Sequence, residues 1–187
     1  MIYFQEAKTD SKEYKYNIDI LTNSFPNDEY RDLKELKYYS NKKNNFTCNI
    51  IIKDENPIGI MHYWNFKDFI YIEHFAIEKK HRNKKMGTKV LQKFIQEAKK
   101  NIVLEVEPPE DKMSKKRIEF YSRLGFNLHH KKYIQPPYKS NSISLDMKLM
   151  TYGDIDIDEK FNKIVNTLYL EVYNQEIDTI PILEQHL

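Results

Sequence analysis

The most chemically suggestive stretch of this sequence is HRNKKMGTKVL, residues 81–91, which places four Lys or Arg side chains around one glycine. Such a stretch is either a solvated run of charge or a turn that binds an anion at the start of a helix. The first N–H groups of a helix have no internal partners and carry partial positive charge, so they can bind a phosphate. Gly87 would let the main chain approach that anion closely, and Arg82, Lys84 and Lys85 would add side-chain charge.

Two glutamates lie inside segments that are typical of strands, where a carboxylate can accept a proton. In FIYIEHFAI, the alternation of a strand predicts Glu73 and Phe75 on one face, with Ile72 and His74 on the other. Glu105 lies in the nearly continuous apolar run NIVLEV, where an unpaired carboxylate is costly to bury. An apolar setting disfavours the ionised form, so such a carboxylate takes up a proton readily. A structural role for either glutamate, such as pairing with Lys or Arg, stays the alternative.

The elements that must position these groups are a meander of strands, a helix and a buried strand. Residues 46–54, 58–66 and 69–77 alternate as strands, and a turn at 54–57 joins the first two into a hairpin. The basic stretch then leads into a helix, on which apolar residues recur at spacings of three and four. These residues are Met86, Val90, Leu91, Phe94, Ile95 and Ala98. Residues 101–106 form the apolar strand that follows the helix.

The remaining elements flank this core on both sides. Residues 2–7 predict a first strand, and residues 10–39 predict two short helices interrupted at Phe25-Pro26. A helix at about 113–124 stops at Gly125, and residues 126–136 and 142–150 predict two closing strands. A last helix at about 158–175 has one apolar stripe, and we expect a loose tail beyond Glu176. The stripe consists of Phe161, Ile164, Val165, Leu168 and Val172.

Composition limits the classes of protein to which the chain can belong. It has 187 residues, of which 40% are hydrophobic and 31% charged, with a net charge of +2. The near-neutral total argues against nucleic-acid binding, and the absence of a long apolar run argues against a membrane span. Cys48 is the single cysteine and lies in an apolar strand, which favours a packing role and a cytoplasmic location. The spacing of the histidines fits no metal site.

Two motifs give this sequence a resemblance to the GNAT superfamily of N-acetyltransferases. Arg82-Asn83-Lys84-Lys85-Met86-Gly87 resembles the family's acyl-CoA motif, Arg/Gln-x-x-Gly-x-Gly/Ala, with Lys85 in place of the first glycine. Lys85 can still offer its N–H to a phosphate if its φ stays negative. Downstream, FYSRLGF at residues 120–126 resembles the family's aromatic-Tyr-x-x-x-Gly-Phe signature. The resemblance covers about residues 46–150 and is closest to small bacterial members.

The resemblance implies an α/β (α+β) fold of GNAT type, with a mixed, mostly antiparallel central sheet flanked by helices. We expect one acetyltransferase domain at residues 1–150 and a C-terminal helical appendage at 151–187 that packs on or extends the same domain. The pantetheine arm would enter where residues 71–77 and 102–106 splay apart. The implied activity is direct transfer of an acetyl group from acetyl-CoA to a primary amine. A non-catalytic acyl-CoA-binding or regulatory module is the alternative.

The family's roles can be placed on individual residues of this chain. Tyr121 matches the usual general acid, which protonates the departing thiolate. For the base we place Glu73 ahead of Glu105, with Glu107 third. A backbone N–H of the 75–77 strand would stabilise the oxyanion. The residues implied to bind the cofactor are Phe75, Ala76, Ile77, Arg82, Asn83, Lys84, Lys85, Met86, Gly87, Thr88, Ser114 and Tyr121.

Aromatic density is the available indication of the acceptor. Several aromatic residues lie in segments that would flank the acceptor cleft: Tyr38, Tyr39, Tyr63, Trp64, Phe66, Tyr133 and Tyr138. Most should pack the core, while a minority could bind an amine by cation–π contacts. We therefore expect a small-molecule amine or a peptide N-terminus as acceptor, with no nucleic-acid or membrane partner and a monomer or homodimer.

Overall fold

A computed structural model describes residues 1–82 and 84–175 of the chain. The chain divides into two compact units, one spanning Met1–Leu104 and one beginning at Glu105. The domain boundary that the sequence suggests near residue 150 stays a prediction. The tail beyond Glu176, expected to be loose, lies outside the described residues. Among the described residues, no helix is both long enough and apolar enough to cross a membrane.

The first unit contains four strands, three helices and the first four residues of a fifth strand, in the order that the sequence predicts. They are β1 (Ile2–Glu6), α1 (Lys12–Ser24), α2 (Leu33–Lys42), β2 (Phe46–Lys53), β3 (Asn56–Asn65), β4 (Phe69–Ile77), α3 (Met86–Ala98) and β5 (Asn101–Val106). Strands β1 to β4 pair antiparallel with their neighbours, and β5 pairs parallel with β4. The predicted break at Phe25-Pro26 is confirmed, because α1 ends at Ser24 and Phe25 is extended.

Helices cover both faces of this sheet, as neighbouring residues of β3 show. The ring of Trp64 packs against Tyr39 of α2, with their centroids 5.6 Å apart. The ring of Tyr63 packs against Phe94 of α3 at 5.2 Å. Because successive side chains of a strand point to opposite faces, α2 and α3 lie on opposite sides of the sheet.

A β-bulge in β4 overturns the simple alternation expected there. His62 of β3 is opposite His74, whereas the next residue, Tyr63, is opposite Ile72, so Glu73 is the extra residue. His74 bonds the carbonyl of Glu29, and Glu73 bonds Trp64, so both side chains face the α1–α2 side. The prediction that Glu73 and His74 occupy opposite faces was wrong, because a bulge shifts the period by one residue.

The parallel ladder between β4 and β5 is short. Residues Phe69 to Ile72 pair with Asn101 to Leu104, and no further pair of this ladder is described. Strand β4 nevertheless continues to Ile77 while paired with β3 on its other edge. The last five residues of β4 therefore have one edge outside this ladder, as the predicted splay requires.

The second unit contains one helix, three strands and a C-terminal helix. They are α4 (Lys112–Ser122), β6 (Asn127–Leu128), β7 (Tyr133–Gln135), β8 (Leu145–Tyr152) and α5 (Ile157–Thr167), followed by a π-helical turn at Leu168–Val172. Strands β6 and β7 both pair antiparallel with β8. The single strand predicted at 126–136 is thus two strands, because the pairing with β8 is interrupted between Leu128 and Tyr133. Gly125 has φ +90°, as its predicted position after a helix requires.

The C-terminal helix has the apolar stripe that the sequence predicts. All five stripe residues are buried, and none is more than 5% exposed. The helix changes to π geometry after Thr167, where the N–H of Tyr173 donates to the carbonyl of Leu168 at 3.1 Å. Single π turns inside helices occur often at functional sites.

Candidate functional site

The basic turn places Lys85 in the left-handed region, with φ 53° and ψ 26°. The negative φ that was set as a condition for phosphate binding by the Lys85 N–H is not met. The family's glycine would adopt this conformation without strain, whereas a lysine in this conformation has a modestly higher conformational energy. The backbone therefore follows a path suited to glycine although the residue is lysine. Lys85 is the N-cap of α3, and its exposed side chain makes no capping hydrogen bond.

The N-terminus of α3 offers backbone donors to an anion. The first intrahelical bond after the turn runs from the N–H of Lys89 to the carbonyl of Lys85 at 3.0 Å. The N–H groups of Met86, Gly87 and Thr88 precede it, and the first turn contains no acidic residue. Lys84 is exposed beside them, while Asn83 lies outside the described residues. Donors, helix dipole and lysine charge together fit a pyrophosphate.

Arg82 has a different role from the lysines. Its Nε–H donates to the carbonyl oxygen of Ile77 at 2.7 Å, which joins the turn to the end of β4. The N–H of Glu78 donates to the carbonyl of Ile58 in β3. Along a strand, the N–H groups of every second residue point to the same edge, so the N–H of Ala76 also points to β3. Those of Phe75 and Ile77 therefore point away from β3. These two residues can therefore offer backbone groups to an extended ligand. The N–H of Ala76 points to β3 instead and is not available at this edge.

Gly59 was not singled out in the sequence, yet it shapes the same strand end. A Cβ on this residue would lie 2.2 Å from the carbonyl oxygen of Ala76. Only glycine permits such a close approach of β3 to β4. A glycine within a strand pattern was the signal that could have identified it.

Glu73 is the centre of a buried ion pair. Its carboxylate is fully buried and contacts the guanidinium of Arg31, which is 2% exposed. The Nε1–H of Trp64 donates to the other carboxylate oxygen at 2.8 Å. Burial alone would raise the pKa of Glu73, but the Arg31 charge and these hydrogen bonds outweigh it and lower the pKa below its usual value. Glu73 is thus held in its ionised form.

Aromatic rings enclose the guanidinium of Arg31. Its central carbon lies 4.5 Å from the ring centroid of Tyr39, 5.5 Å from that of Trp64 and 5.7 Å from that of Phe46. Two of the rings proposed for an acceptor amine, Tyr39 and Trp64, therefore contact a cation of the protein itself. Sequence reasoning missed Arg31, because its partner is 42 residues away.

Tyr121 lies at the C-terminal end of α4 with its ring between aromatic neighbours. The ring centroids of Phe120 and Phe126 lie 5.0 Å and 5.5 Å from its own. Within the described residues its hydroxyl makes no hydrogen bond. Burial raises the pKa of Tyr121 to about 12, although the charge of Arg117 acts in the opposite direction. The phenol is therefore neutral at physiological pH and has a proton to donate.

Three neutral groups donate hydrogen bonds to the Glu105 carboxylate. The hydroxyl of Tyr133 donates to Oε1, while Gln135 Nε2 and the Tyr173 hydroxyl each donate to Oε2 at 2.7 Å. Burial, followed by the charge of Glu105, raises the pKa of Tyr133 well above its usual value. Tyr133 thus stays protonated as a donor. Gln135 and Tyr173 were not identified from the sequence, because they come from separate elements.

Ser114 and Glu107 have local partners in the second unit. The Ser114 hydroxyl donates to the carbonyl of Asp111 at 3.0 Å and accepts from its N–H at 3.2 Å. It forms a capping box at the start of α4. Glu107 forms an exposed ion pair with Arg117. These contacts give both residues a structural role, so a cofactor contact by Ser114 stays a prediction.

Comparisons with known proteins identify the family. The sequence matches the acetyltransferase (GNAT) family over residues 14–126. It is 42% identical to a putative GNAT acetyltransferase structure from Bacteroides thetaiotaomicron, with a TM-score of 0.91, covering 93% of this chain and 99% of that chain. No curated protein matches the sequence.

More distant structures show the fold alone. The ribosomal-protein-S18-alanine N-acetyltransferase of Escherichia coli is 18% identical with a TM-score of 0.56, covering 81% of this chain and 93% of that chain. A GNAT acetyltransferase of Elizabethkingia anophelis with acetyl-CoA bound is 16% identical with a TM-score of 0.55, covering 82% of this chain and 98% of that chain. The mixed, mostly antiparallel fold expected from the sequence is confirmed. This chain belongs to the GNAT acetyltransferase family, which uses acetyl-CoA.

Proposed function

We propose that this protein is an N-acetyltransferase that moves an acetyl group from acetyl-CoA to a primary amine by direct attack in a ternary complex. The observation that supports it most strongly is the Tyr121 hydroxyl. It lies in the family motif, makes no hydrogen bond within the described residues and has a pKa raised to about 12. A protonated phenol in a partly buried position suits an acid that must protonate a thiolate.

Several groups of the first unit would hold the cofactor. The N–H groups of Met86, Gly87 and Thr88, with the charges of Lys84 and Lys85, would bind the pyrophosphate. The free edge of β4, at Phe75 and Ile77, would bind the pantetheine arm and direct an N–H at the oxyanion. When bound, acetyl-CoA supplies the activated thioester.

For the base we propose Glu105 ahead of Glu73, which reverses the order suggested by the sequence. A base must take a proton from an ammonium group, so it needs access to substrate and a moderate proton affinity. Glu73 is fully buried and paired with Arg31, which disfavours its protonation. Glu105 is partly exposed, and its donors within the network described above are neutral.

The proposed acceptor is a small amine or a peptide N-terminus. Support comes from the second unit, where Tyr138 packs on Tyr173 with ring centroids 5.0 Å apart, next to the Glu105 carboxylate. A carboxylate with adjacent aromatic rings favours a cationic ligand.

We also propose that the enzyme works in the cytoplasm. The free thiol of Cys48 is consistent with this location.

A turnover screen with acetyl-CoA tests the proposal. The purified protein is incubated with aminoglycosides, polyamines, amino acids and short peptides, and released CoA is measured. At least one amine should be acetylated at a rate that Tyr121→Phe lowers roughly 10²–10⁴-fold, with acetyl-CoA affinity unchanged. The matched control is Tyr3→Phe on β1, which removes a tyrosine hydroxyl that contacts Glu55 and should retain turnover. Tight CoA binding with no acetylated amine would instead favour the regulatory module.

A further inference from the structure

The Glu105 carboxylate receives hydrogen bonds from residues that lie outside the region matching the family. The match ends at residue 126, whereas Tyr133, Gln135 and Tyr173 follow it. Gln135 Nε2 also lies 2.7 Å from the Tyr173 hydroxyl, so it bonds both this hydroxyl and the carboxylate. Tyr173 is 68 residues from Glu105 and is the contribution of the C-terminal helix.

The π-helical turn gives two tyrosines of this helix different partners. The hydroxyl of Tyr169 donates to the backbone carbonyl of Ile134, and that of Tyr173 donates to Glu105. Both tyrosines are buried, with exposed fractions of 3% and 6%. The acceptor is thus a backbone carbonyl for Tyr169 and a carboxylate for Tyr173, whose hydroxyl also accepts from Gln135. This difference separates a packing role from a role at the carboxylate.

We propose that Tyr173 is a positioning residue for acetyl transfer, and that the C-terminal helix is thereby part of the active site. This inference rests on the proposed function with Glu105 as base. Donors to a carboxylate favour its ionised form and fix the direction of its free lone pairs. Because the Tyr173 hydroxyl is neutral, it orients Glu105 without the strong opposition to protonation that a cationic partner imposes.

The titratable groups that the described contacts place around the carboxylate are tyrosines. They are the tyrosines at 133, 138, 169 and 173. Burial, with the charge of Glu105, raises the pKa of Tyr169 to about 12 and that of Tyr133 well above its usual value. The hydroxyls of Tyr138 and Tyr173 lie 3.5 Å apart. Tyr133 and Tyr169 therefore keep their protons near neutral pH, and the acid limb of a pH–rate profile can be compared between variants that lack one hydroxyl each.

The experiment compares Tyr173→Phe with Tyr169→Phe, which removes an equivalent hydroxyl from the same turn. Tyr173→Phe should lower kcat roughly tenfold, shift the acid limb of kcat/KM to higher pH and leave the KM for acetyl-CoA unchanged. Both variants should lower Tm to a similar extent, but Tyr169→Phe should leave kcat and the pH profile of kcat/KM unchanged. An unchanged profile in Tyr173→Phe, or equal loss of kcat in both variants, would overturn the inference.

A second measurement does not depend on turnover. In protein with ¹³C-labelled glutamate carboxyls, the resonance lost in Glu105→Gln identifies this group. Its titration should move to higher pH in Tyr173→Phe and stay in place in Tyr169→Phe, and a titration that did not move would overturn the inference. Failure of the wild-type protein to acetylate any amine would instead refute the proposed function, and with it the catalytic meaning of the network.

Discussion

Glu73 and Glu105 are both carboxylates within β-strands, but the hydrogen bonds described for them come from donors of different charge. Glu73 contacts the buried guanidinium of Arg31, whereas the donors around Glu105 include two tyrosine hydroxyls and the amide of Gln135. A cation opposes protonation of its partner much more strongly than a neutral donor does. The first arrangement suits a fixed structural charge, and the second suits a group that gains and loses a proton.

The largest expected difference between the two carboxylates is catalytic. Glu105→Gln keeps the size of the side chain but removes the base, so kcat should fall roughly 10²–10⁴-fold. Glu73→Gln should change kcat much less in the fraction that remains folded, because its carboxylate is fully buried. Steady-state kinetics on both variants, normalised to folded protein, provides the measurement. A larger loss of kcat in Glu73→Gln would restore Glu73 as the base.

The next largest effect concerns stability. Arg31→Leu leaves the Glu73 charge buried without its guanidinium partner, so the free energy of unfolding should fall by about 3–5 kcal/mol. Adding Glu73→Leu to this variant removes the uncompensated charge and should recover much of the loss. Urea unfolding of both variants measures the difference. A loss below about 1 kcal/mol in Arg31→Leu would show that the ion pair does not determine the stability of this region.

Features that depend on local sequence could be predicted, whereas features that depend on contacts between distant residues could not. Gly125 and the break at Phe25-Pro26 depend on local backbone rules, and both were identified correctly. The β4 bulge was missed, because it is defined by pairing with β3 rather than by the order of apolar residues.

Partners distant in the chain were missed for a related reason. Arg31 and Tyr173 lie 42 and 68 residues from the glutamates that they contact, and neither belongs to the family motifs. The motifs identified candidate carboxylates and a candidate acid. Which carboxylate is neutralised by a cation depends on tertiary contacts, and a single sequence does not specify these contacts.

A pH-dependent loss of stability should arise beside Glu73. His62 and His74 are buried near it, and burial lowers the pKa of both imidazoles below 6.5. The unfolded chain therefore binds more protons than the folded chain at mildly acidic pH, and stability should fall as pH drops below about 6.5. The contribution of Glu73, whose pKa is lowered, is present above about 4.5 and is lost at lower pH.

Urea unfolding between pH 7.5 and 5 tests the histidine effect. Each imidazole that stays neutral in the fold contributes a slope of up to about 1.4 kcal/mol per pH unit. His62→Gln should reduce that slope by removing one such group while leaving Glu73 and Arg31 in place. Wild-type stability that stays constant from pH 7 to 5 would mean that the imidazoles take up protons in the folded protein as they do in the unfolded chain.

The smallest expected effect concerns Glu107, the third candidate base. Its ion pair with Arg117 is 39% and 46% exposed, so water and salt screen it, unlike the pair of Glu73. Glu107→Gln should change the free energy of unfolding by less than about 1 kcal/mol, and the change should diminish at high ionic strength. Its kcat should stay close to that of the wild type. A strong loss of kcat with unchanged stability would make exposure to solvent, rather than a neutral environment, the property that distinguishes the base.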